Sequence, residues 1–219
     1  MIGVIDMKKY DTVVYKIIRP VVAGLVKVFF RPQVVGLENI PKEGPYVLAS
    51  NHTKWLDPVL LLGVAGKKQV HFLAKEEMWH DLGWIVVKAM GCIPVNRKIH
   101  DKDALLSAYE FLNNGSCIGI FPEGTINKTD ELVMPFKIGA VKMCSETGAK
   151  LVPVVITGKY KWFRKGIKIE FLKPREVKKD LELENERLMT DISEKLGEYF
   201  LVTKEKKVPN KGVKKRGKR

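Results

Sequence analysis

Apolar positions along this chain change period repeatedly, from runs that suit a buried strand to spacings that suit a helix. Residues 13–30 carry bulk at Val14, Ile17, Ile18, Val21, Val22, Leu25, Val28 and Phe29, the three-to-four spacing of a helix. Lys16, Arg19 and Lys27 interrupt them, so the run falls short of the roughly twenty apolar residues that a membrane span needs. Pro20 predicts a bend or break. One reading is an ordinary helix packed on the domain; the other is an interfacial helix with its apolar face in lipid and its cations at the headgroups. The apolar arc is wide enough to need more than one partner surface, which favours the second.

Gln33-Val34-Val35-Gly36 predicts a short strand, and Tyr46-Val47-Leu48-Ala49-Ser50 a strand buried on both faces. Asp57-Pro58 before Val59-Leu60-Leu61-Leu62 is a helix start, with Asp able to cap and Pro suited to the first turn. Further strands are expected at 69–74, 92–95, 117–121, 151–156 and 167–171. Helices are expected at 75–79 and 84–90, from Asp101 or Asp103 through Leu112, over 135–147, and over 181–200. Asn114-Gly115 and Gly148 are stop signals. Strands and helices alternate throughout, which predicts an α/β fold with a largely parallel central sheet and helices on both faces.

The strand at 46–50 runs into His52-Thr53-Lys54-Trp55-Leu56-Asp57, at the carboxyl end where open α/β sheets keep their ligands. On a continuous helix a His and an Asp five apart point away from each other. A strand–turn–helix corner can fold them together, so that Asp holds one ring nitrogen and leaves the other free to take a proton. From the hexapeptide alone two readings stand: that pair, or a capping Asp beside an unrelated loop His. Gly91-Cys92-Ile93-Pro94-Val95-Asn96-Arg97, Phe121-Pro122-Glu123-Gly124-Thr125 and Val152-Pro153-Val154 also fall at expected strand ends. His71 reads as a structural residue, and His80 and His100 as surface residues.

The 219 residues suit one domain, with a formal charge of +14. Residues 203–219 hold nine Lys/Arg against Glu205, a net +8, so the preceding 202 residues carry +6. That division predicts three segments: an interfacial helix at 1–30, a domain at 31–202 and a basic disordered tail at 203–219. Anionic membrane surfaces, nucleic acid and acidic partners all fit the charge. Cys92, Cys117 and Cys144 show no metal or redox spacing and read as buried thiols in a reducing compartment. No secretory leader is legible.

The four strand-end stretches, in this order, resemble the four blocks of the glycerolipid acyltransferase family, most closely the bacterial 1-acylglycerol-3-phosphate acyltransferases. The resemblance covers about residues 35–175. It implies transfer of a fatty acyl group from acyl-CoA or acyl carrier protein to the free hydroxyl of 1-acyl-glycerol-3-phosphate, giving phosphatidic acid. By the same resemblance His52 is the catalytic base and Asp57 its orienting carboxylate. Arg97, Glu123, Gly124 and Thr125 hold the phosphate and glycerol of the acceptor, Lys75 lies near that phosphate, and Lys137 is a weaker candidate of the same kind. The Val152-Pro153-Val154 block is linked to structure or acyl-donor contact. The chain departs from the pattern at Ile126-Asn127, where the family often continues with Arg-Ser, so one phosphate donor is absent and the acceptor headgroup stays open.

The chemistry agrees. A His backed by a carboxylate suits deprotonation of a poorly nucleophilic hydroxyl, and Arg offers a phosphate a planar charged fork. No Gly-x-Ser-x-Gly elbow supports a serine acyl-enzyme, and Cys92 and Cys117 sit in apolar strands, so direct attack by the acceptor on the thioester is expected. No His pair has ligand spacing, and neither metal nor cofactor is expected beyond the acyl donor. The expected location is peripheral, on the cytoplasmic face of an anionic bilayer. Within the enzyme class the alternative is another lysophospholipid, or transacylation. Against a nucleic-acid-binding protein stands a tail without interleaved aromatics and a body without a reading helix. Against an inactive adaptor stands the intact His52/Asp57 pair.

Overall fold

The centre of the fold follows from the two-residue period of its strands. The computed structural model describes residues 13–66, 68–75, 91–95 and 102–205. Strand β2 (Tyr46–Ser50) is buried at every position. Tyr46 and Leu48 enter one core while Val47 and Ala49 enter another, so a single strand serves two faces. β6 (Lys150–Gly158) does the same, with Val152, Val154 and Ile156 on one side and Leu151 and Val155 on the other.

Around these run β1 (Gln33–Val35), β3 (Val70–Lys75), β4 (Ile93–Val95), β5 (Cys117–Ile120) and β7 (Ile167–Phe171). The seven strands lie in the order β1-β7-β6-β2-β5-β3-β4. Neighbours are parallel except β6 and β7, which form an antiparallel hairpin. Helices α1 (Val13–Phe29) and α2 (Asp57–Val64) cover one face. Helices α3 (Lys102–Asn113), α4 (Gly139–Thr147) and α5 (Leu181–Glu205) cover the other. The α/β class and the largely parallel sheet are those expected from the alternation of patterns.

Five local expectations are corrected. Helix α1 runs unbroken through Pro20. One lost N–H is outweighed where Tyr15, Val26 and Phe30 are buried and Val26 nests on Gly63 of α2, where a Cβ would come within 3.0 Å. The described part of the 1–30 segment therefore shares the core of the domain. Helix α4 begins at Gly139 rather than at 135. The Lys137 N–H is bonded to the Pro122 carbonyl at 2.9 Å, the Phe136 carbonyl accepts from Asn185 at 2.9 Å, and Phe136 itself is buried, so 135–138 is tied to other elements instead of coiling. Asp57 is the first residue of α2 and not its cap, because its carboxylate turns back into the preceding loop. Val152-Pro153-Val154 is the buried middle of β6, not a strand end, paired with Leu48, Ala49 and Ser50. Pro153 stands where the antiparallel partner changes from Arg175 to β7, a position that tolerates a missing N–H. Lys75, expected to open a helix, instead ends β3; the rest of that helix at 76–79 and the one expected at 84–90, with Trp79, Trp84 and His80, lie outside the described residues, as do Arg97, His100 and the tail beyond 205.

One glycine of β5 leaves room on the sheet face for a ring of β3. Phe72 pairs with Gly119 in register, and its ring lies where a Gly119 side chain would project, 2.3 Å from Cε1 to an added Cβ. Phe72 in turn stacks on Phe121, with centroids 6.0 Å apart. Gly119→Ala should therefore overpack the sheet and cost about 1–3 kcal/mol in urea denaturation. Gly139→Ala, whose Cβ would meet only Ile120 at an ordinary 3.7 Å, should be near neutral in the same assay.

Candidate active site

Parallel pairing sends the ends of β2, β5 and β3 to one edge of the sheet, and the chemistry-bearing side chains gather there. β2 is locked to β6 just before it ends: the Asn51 side chain donates to the Ile156 carbonyl at 2.9 Å and accepts from the Ile156 N–H at 2.8 Å. His52 follows directly. Its Nδ1 meets Asp57 Oδ2 at 2.9 Å, so the strand–turn–helix corner does fold the pair together.

Asp57 is fully buried. A buried carboxylate is costly unless its oxygens are bonded, and here they are. Oδ2 accepts the Thr53 N–H at 2.6 Å and the Lys54 N–H at 2.8 Å besides His52, while the Thr53 hydroxyl reaches Oδ1 at 3.3 Å. The Tyr160 hydroxyl donates to Oδ1 at 2.5 Å, from the loop after β6. Burial and the Asp57 carboxylate both push the Tyr160 phenol far above its usual range, which keeps it a donor. With Nδ1–H given to Asp57, the tautomer of His52 leaves Nε2 with its lone pair. The imidazole stacks on Phe121 at 4.1 Å between centroids and keeps 12% of its side-chain surface exposed.

The turn after β5 grips the backbone of His52. Glu123 Oε1 accepts the His52 N–H at 2.7 Å, Oε2 accepts the Met134 N–H at 2.9 Å, and the His52 carbonyl accepts the Asn127 N–H at 2.8 Å. Glu123 is buried, and that burial holds its carboxyl above the usual range against the lowering effect of those bonds. Gly124 turns with φ +74, and a Cβ there would lie 2.9 Å from Lys137 Cε and Nζ, so the lysine chain lies across the glycine. Thr125 is exposed beside it. Asn127 spends its side chain on its own loop, accepting from the Thr129 N–H at 2.9 Å and donating to the Glu131 carbonyl at 3.1 Å.

The structure thus brings together His52, Asp57, Glu123 and Gly124, with Thr125 and Lys137 alongside. Lys75 ends β3 on the same edge of the sheet and is exposed; Arg97 lies outside the described residues. Cys117 pairs with Tyr46 at the start of β2, the opposite end from His52. Burial raises its thiol pKa and pushes Cys92 up to about 12, so neither is suited to act as a thiolate. Tyr160 and the stacking role of Phe121 escaped the sequence reading. Tyr160 is 103 residues from Asp57 and carries no local signal; Phe121 directly precedes the Pro122-Glu123-Gly124-Thr125 turn, but sequence does not show which ring it faces.

Known proteins answer to this arrangement. The 1-acyl-sn-glycerol-3-phosphate acyltransferase of Bacillus subtilis is 33% identical over 129 residues, 58% of this chain and 62% of that protein. The enzyme of the same name from Borreliella burgdorferi is 34% identical over 137 residues, 61% of this chain and 54% of its own. This chain therefore spans less than two thirds of the length of these relatives. Its fold is similar to the crystal structure of the 1-acyl-sn-glycerophosphate (LPA) acyltransferase PlsC from Thermotoga maritima. That likeness has a TM-score of 0.68 and 23% identity, over 84% of this chain and 80% of the other. The model of the acyltransferase family matches residues 31–157, from the first strand to the end of β6, and by that match this chain belongs to the acyltransferase family.

Proposed function

We propose that the chain is a 1-acylglycerol-3-phosphate O-acyltransferase, which moves a fatty acyl group from acyl-CoA or acyl carrier protein to the acceptor's free hydroxyl and yields phosphatidic acid. The observation that carries this is the His52–Asp57 contact at the carboxyl edge of the sheet. His52 Nε2 takes the hydroxyl proton as the oxygen attacks the thioester carbonyl. Collapse of the tetrahedral intermediate forms the ester and breaks the carbon–sulfur bond, and the departing thiolate receives the proton from the imidazolium. Asp57 keeps the ring oriented and offsets its charge while the proton is held. Lys75, Lys137 and Arg97 supply the cations for the acceptor phosphate, with Gly124 and Thr125 lining its approach. The names of the relatives support this acceptor; the Ile126-Asn127 departure gives the loop an internal bond set in place of a phosphate donor.

Glu123 acts first as a brace, since both its oxygens hold main-chain N–H groups. A carboxylate has about four acceptor positions, so further ones stay open to a glycerol hydroxyl.

The acceptor resides in a bilayer, and α1 supports contact with one. Ile17, Val21, Leu25 and Val28 fall within one 80° arc of the helix and are each 50–63% exposed, while Tyr15, Val26 and Phe30 occupy the buried side. Among the described residues the outer side of the apolar arc is thus left largely uncovered, which supports an interfacial helix. No helix among the described residues is long and apolar enough to cross a membrane.

His52→Ala should abolish acyl transfer to 1-acylglycerol-3-phosphate with the circular dichroism unchanged; Asp57→Asn should lower kcat by about 10²–10⁴ with KM little altered. Near-parental turnover by His52→Ala would defeat the mechanism, and turnover of other lysophospholipids in preference would redirect the acceptor.

Because α1 is part of the core, the membrane reading is best tested by Val21→Ser/Leu25→Ser rather than by truncation. Flotation with phosphatidylglycerol-containing vesicles should fall at least tenfold, since two buried aliphatic chains contribute about 1.5–3 kcal/mol each. Binding equal to the parent's would remove the stripe from the interface.

The raised pKa of Glu123 has a sign in stability. The folded chain holds this proton at higher pH than the unfolded chain does, so protonation of Glu123 favours folding below the ordinary glutamate range. That contribution fades as pH rises through the folded value. Urea denaturation should therefore show the parent gaining on Glu123→Gln as pH is lowered from 7 to 4, and a pH-independent difference would contradict the shift.

A further inference from the structure

The loop joining β6 to β7 has the sequence Lys159-Tyr160-Lys161-Trp162-Phe163-Arg164-Lys165: four cations, three aromatics and no acid. Its base is closed tightly. The Lys159 N–H donates to the Gly166 carbonyl at 2.8 Å, and a Cβ on Gly158, at φ +92, would lie 2.0 Å from that carbonyl oxygen. At its tip the two bulkiest side chains face outward, Trp162 63% and Phe163 56% exposed. Phe163 also holds φ +57, a left-handed backbone that a bulky residue adopts only when its surroundings impose it. The chain accepts strain to present an aromatic to solvent.

This tip continues the apolar surface of α1. Trp162 rests on Phe29 and Phe30 at 5.5 and 5.2 Å between centroids, Phe163 on Phe29 at 5.0 Å, and the Phe163 N–H bonds the Phe29 carbonyl. Val28, one residue earlier, closes the exposed stripe. Between residues 13 and 37 there is likewise no acid, and Lys16, Lys27 and Arg31 are exposed. Arg31 and Lys165 both border the hollow of about 650 Å³ between α1 and the far end of α2. Aromatic rings beside aliphatic chains, with cations and no acid among residues 13–37 and 159–165, match a bilayer with anionic headgroups. Bases could stack on the rings, but a nucleic acid strand has no use for Ile17, Val21, Leu25 and Val28 on the same surface.

The same loop reaches the reactive pair. Tyr160, two residues before Trp162, donates its hydroxyl to Asp57. Buried Phe30 is wedged between them, 5.4 Å from the Tyr160 ring and 5.2 Å from that of Trp162. The tip and Tyr160 thus share one packing partner.

We propose that residues 159–165 form a docking loop for an anionic bilayer, and that through Tyr160 this loop positions the Asp57 carboxylate, so that membrane contact orders the His52–Asp57 pair. The inference rests on the membrane-resident acceptor proposed above. Trp162 and Phe163 enter the interface, Lys161 and Arg164 meet the headgroups, and Tyr160 is a positioning residue rather than a catalytic one.

The first test makes Trp162 the lone tryptophan of the full-length chain by Trp55→Phe/Trp79→Phe/Trp84→Phe. It is mixed with phosphatidylglycerol–phosphatidylcholine vesicles, and flotation is followed in the same samples. Its emission should move to the blue and be quenched by phospholipid brominated high in the acyl chain. Flotation with unchanged emission overturns the loop and leaves the α1 reading standing; absence of flotation overturns both. Tighter binding to single-stranded DNA than to vesicles at equal salt also overturns it. Should the triple variant fail to fold, Lys161→Glu/Arg164→Glu in the native chain should weaken vesicle binding about tenfold or more, and unaltered affinity overturns the proposal.

The second test uses a short-chain, water-soluble lysophosphatidate with and without acceptor-free vesicles. Vesicles should raise kcat of the parent several-fold with KM little changed. Tyr160→Phe should lower kcat about tenfold and lose that stimulation. Equal stimulation of both proteins, or none of the parent, overturns the coupling. Failure of the parent to turn over any lysophospholipid would instead count against the proposed reaction, with the fluorescence result unaffected.

Discussion

A carboxylate shut away from water governs the working end of this fold. Asp57 can be buried only because five donor groups converge on it: two main-chain N–H groups of the 53–54 turn, the Thr53 and Tyr160 hydroxyls, and His52 Nδ1. It also opens α2, where the unpaired N–H groups of the first turn favour negative charge. The same set of bonds folds the 52–57 corner, stabilises the charge and aims the imidazole, so local structure and reactivity have one origin.

That corner depends on distant elements. His52 is held through its own backbone by Glu123 and Asn127, and through its ring by Phe121. Phe121 rests on Phe72, which has room only because residue 119 is glycine. Position of the imidazole is thus set by β5, by β3 and by the segment before α4, besides β2. The segment 134–137, which stays outside that helix, reaches the turn after β5 through the Met134 and Lys137 N–H groups.

Helix α1 divides its apolar arc between the domain and the outside. Its inner side belongs to the core, so the helix cannot be treated as a detachable anchor. Its outer side and the tip of the β6–β7 loop, neither of which contributes an acid between 13 and 37 or between 159 and 165, are joined by Phe29 and Phe30. The protein surface expected to meet lipid and the pair expected to do chemistry are consequently separated by only two rings, Phe30 and Tyr160.

Much of this was legible along the chain because it is local. Two-residue and three-to-four-residue periods depend on near neighbours, and they predicted the strands and most helices; the His52-x4-Asp57 spacing allowed the pair without requiring it, and the family resemblance favoured it. What the chain could not reveal is set by contacts between distant residues. Val152-Pro153-Val154 has the composition of a strand end and became a strand centre because β2 and β7 extend past it on either side. Residues 135–138 precede a helix and stay outside it because Pro122 and Asn185 claim backbone groups of Lys137 and Phe136. Tyr160 lies in a basic loop with nothing to mark it, and only the antiparallel return of β7 turns that loop toward Asp57. Local pattern determined which elements form; tertiary packing decided which of their side chains meet, since a buried polar group takes whichever donor the assembled fold brings within reach.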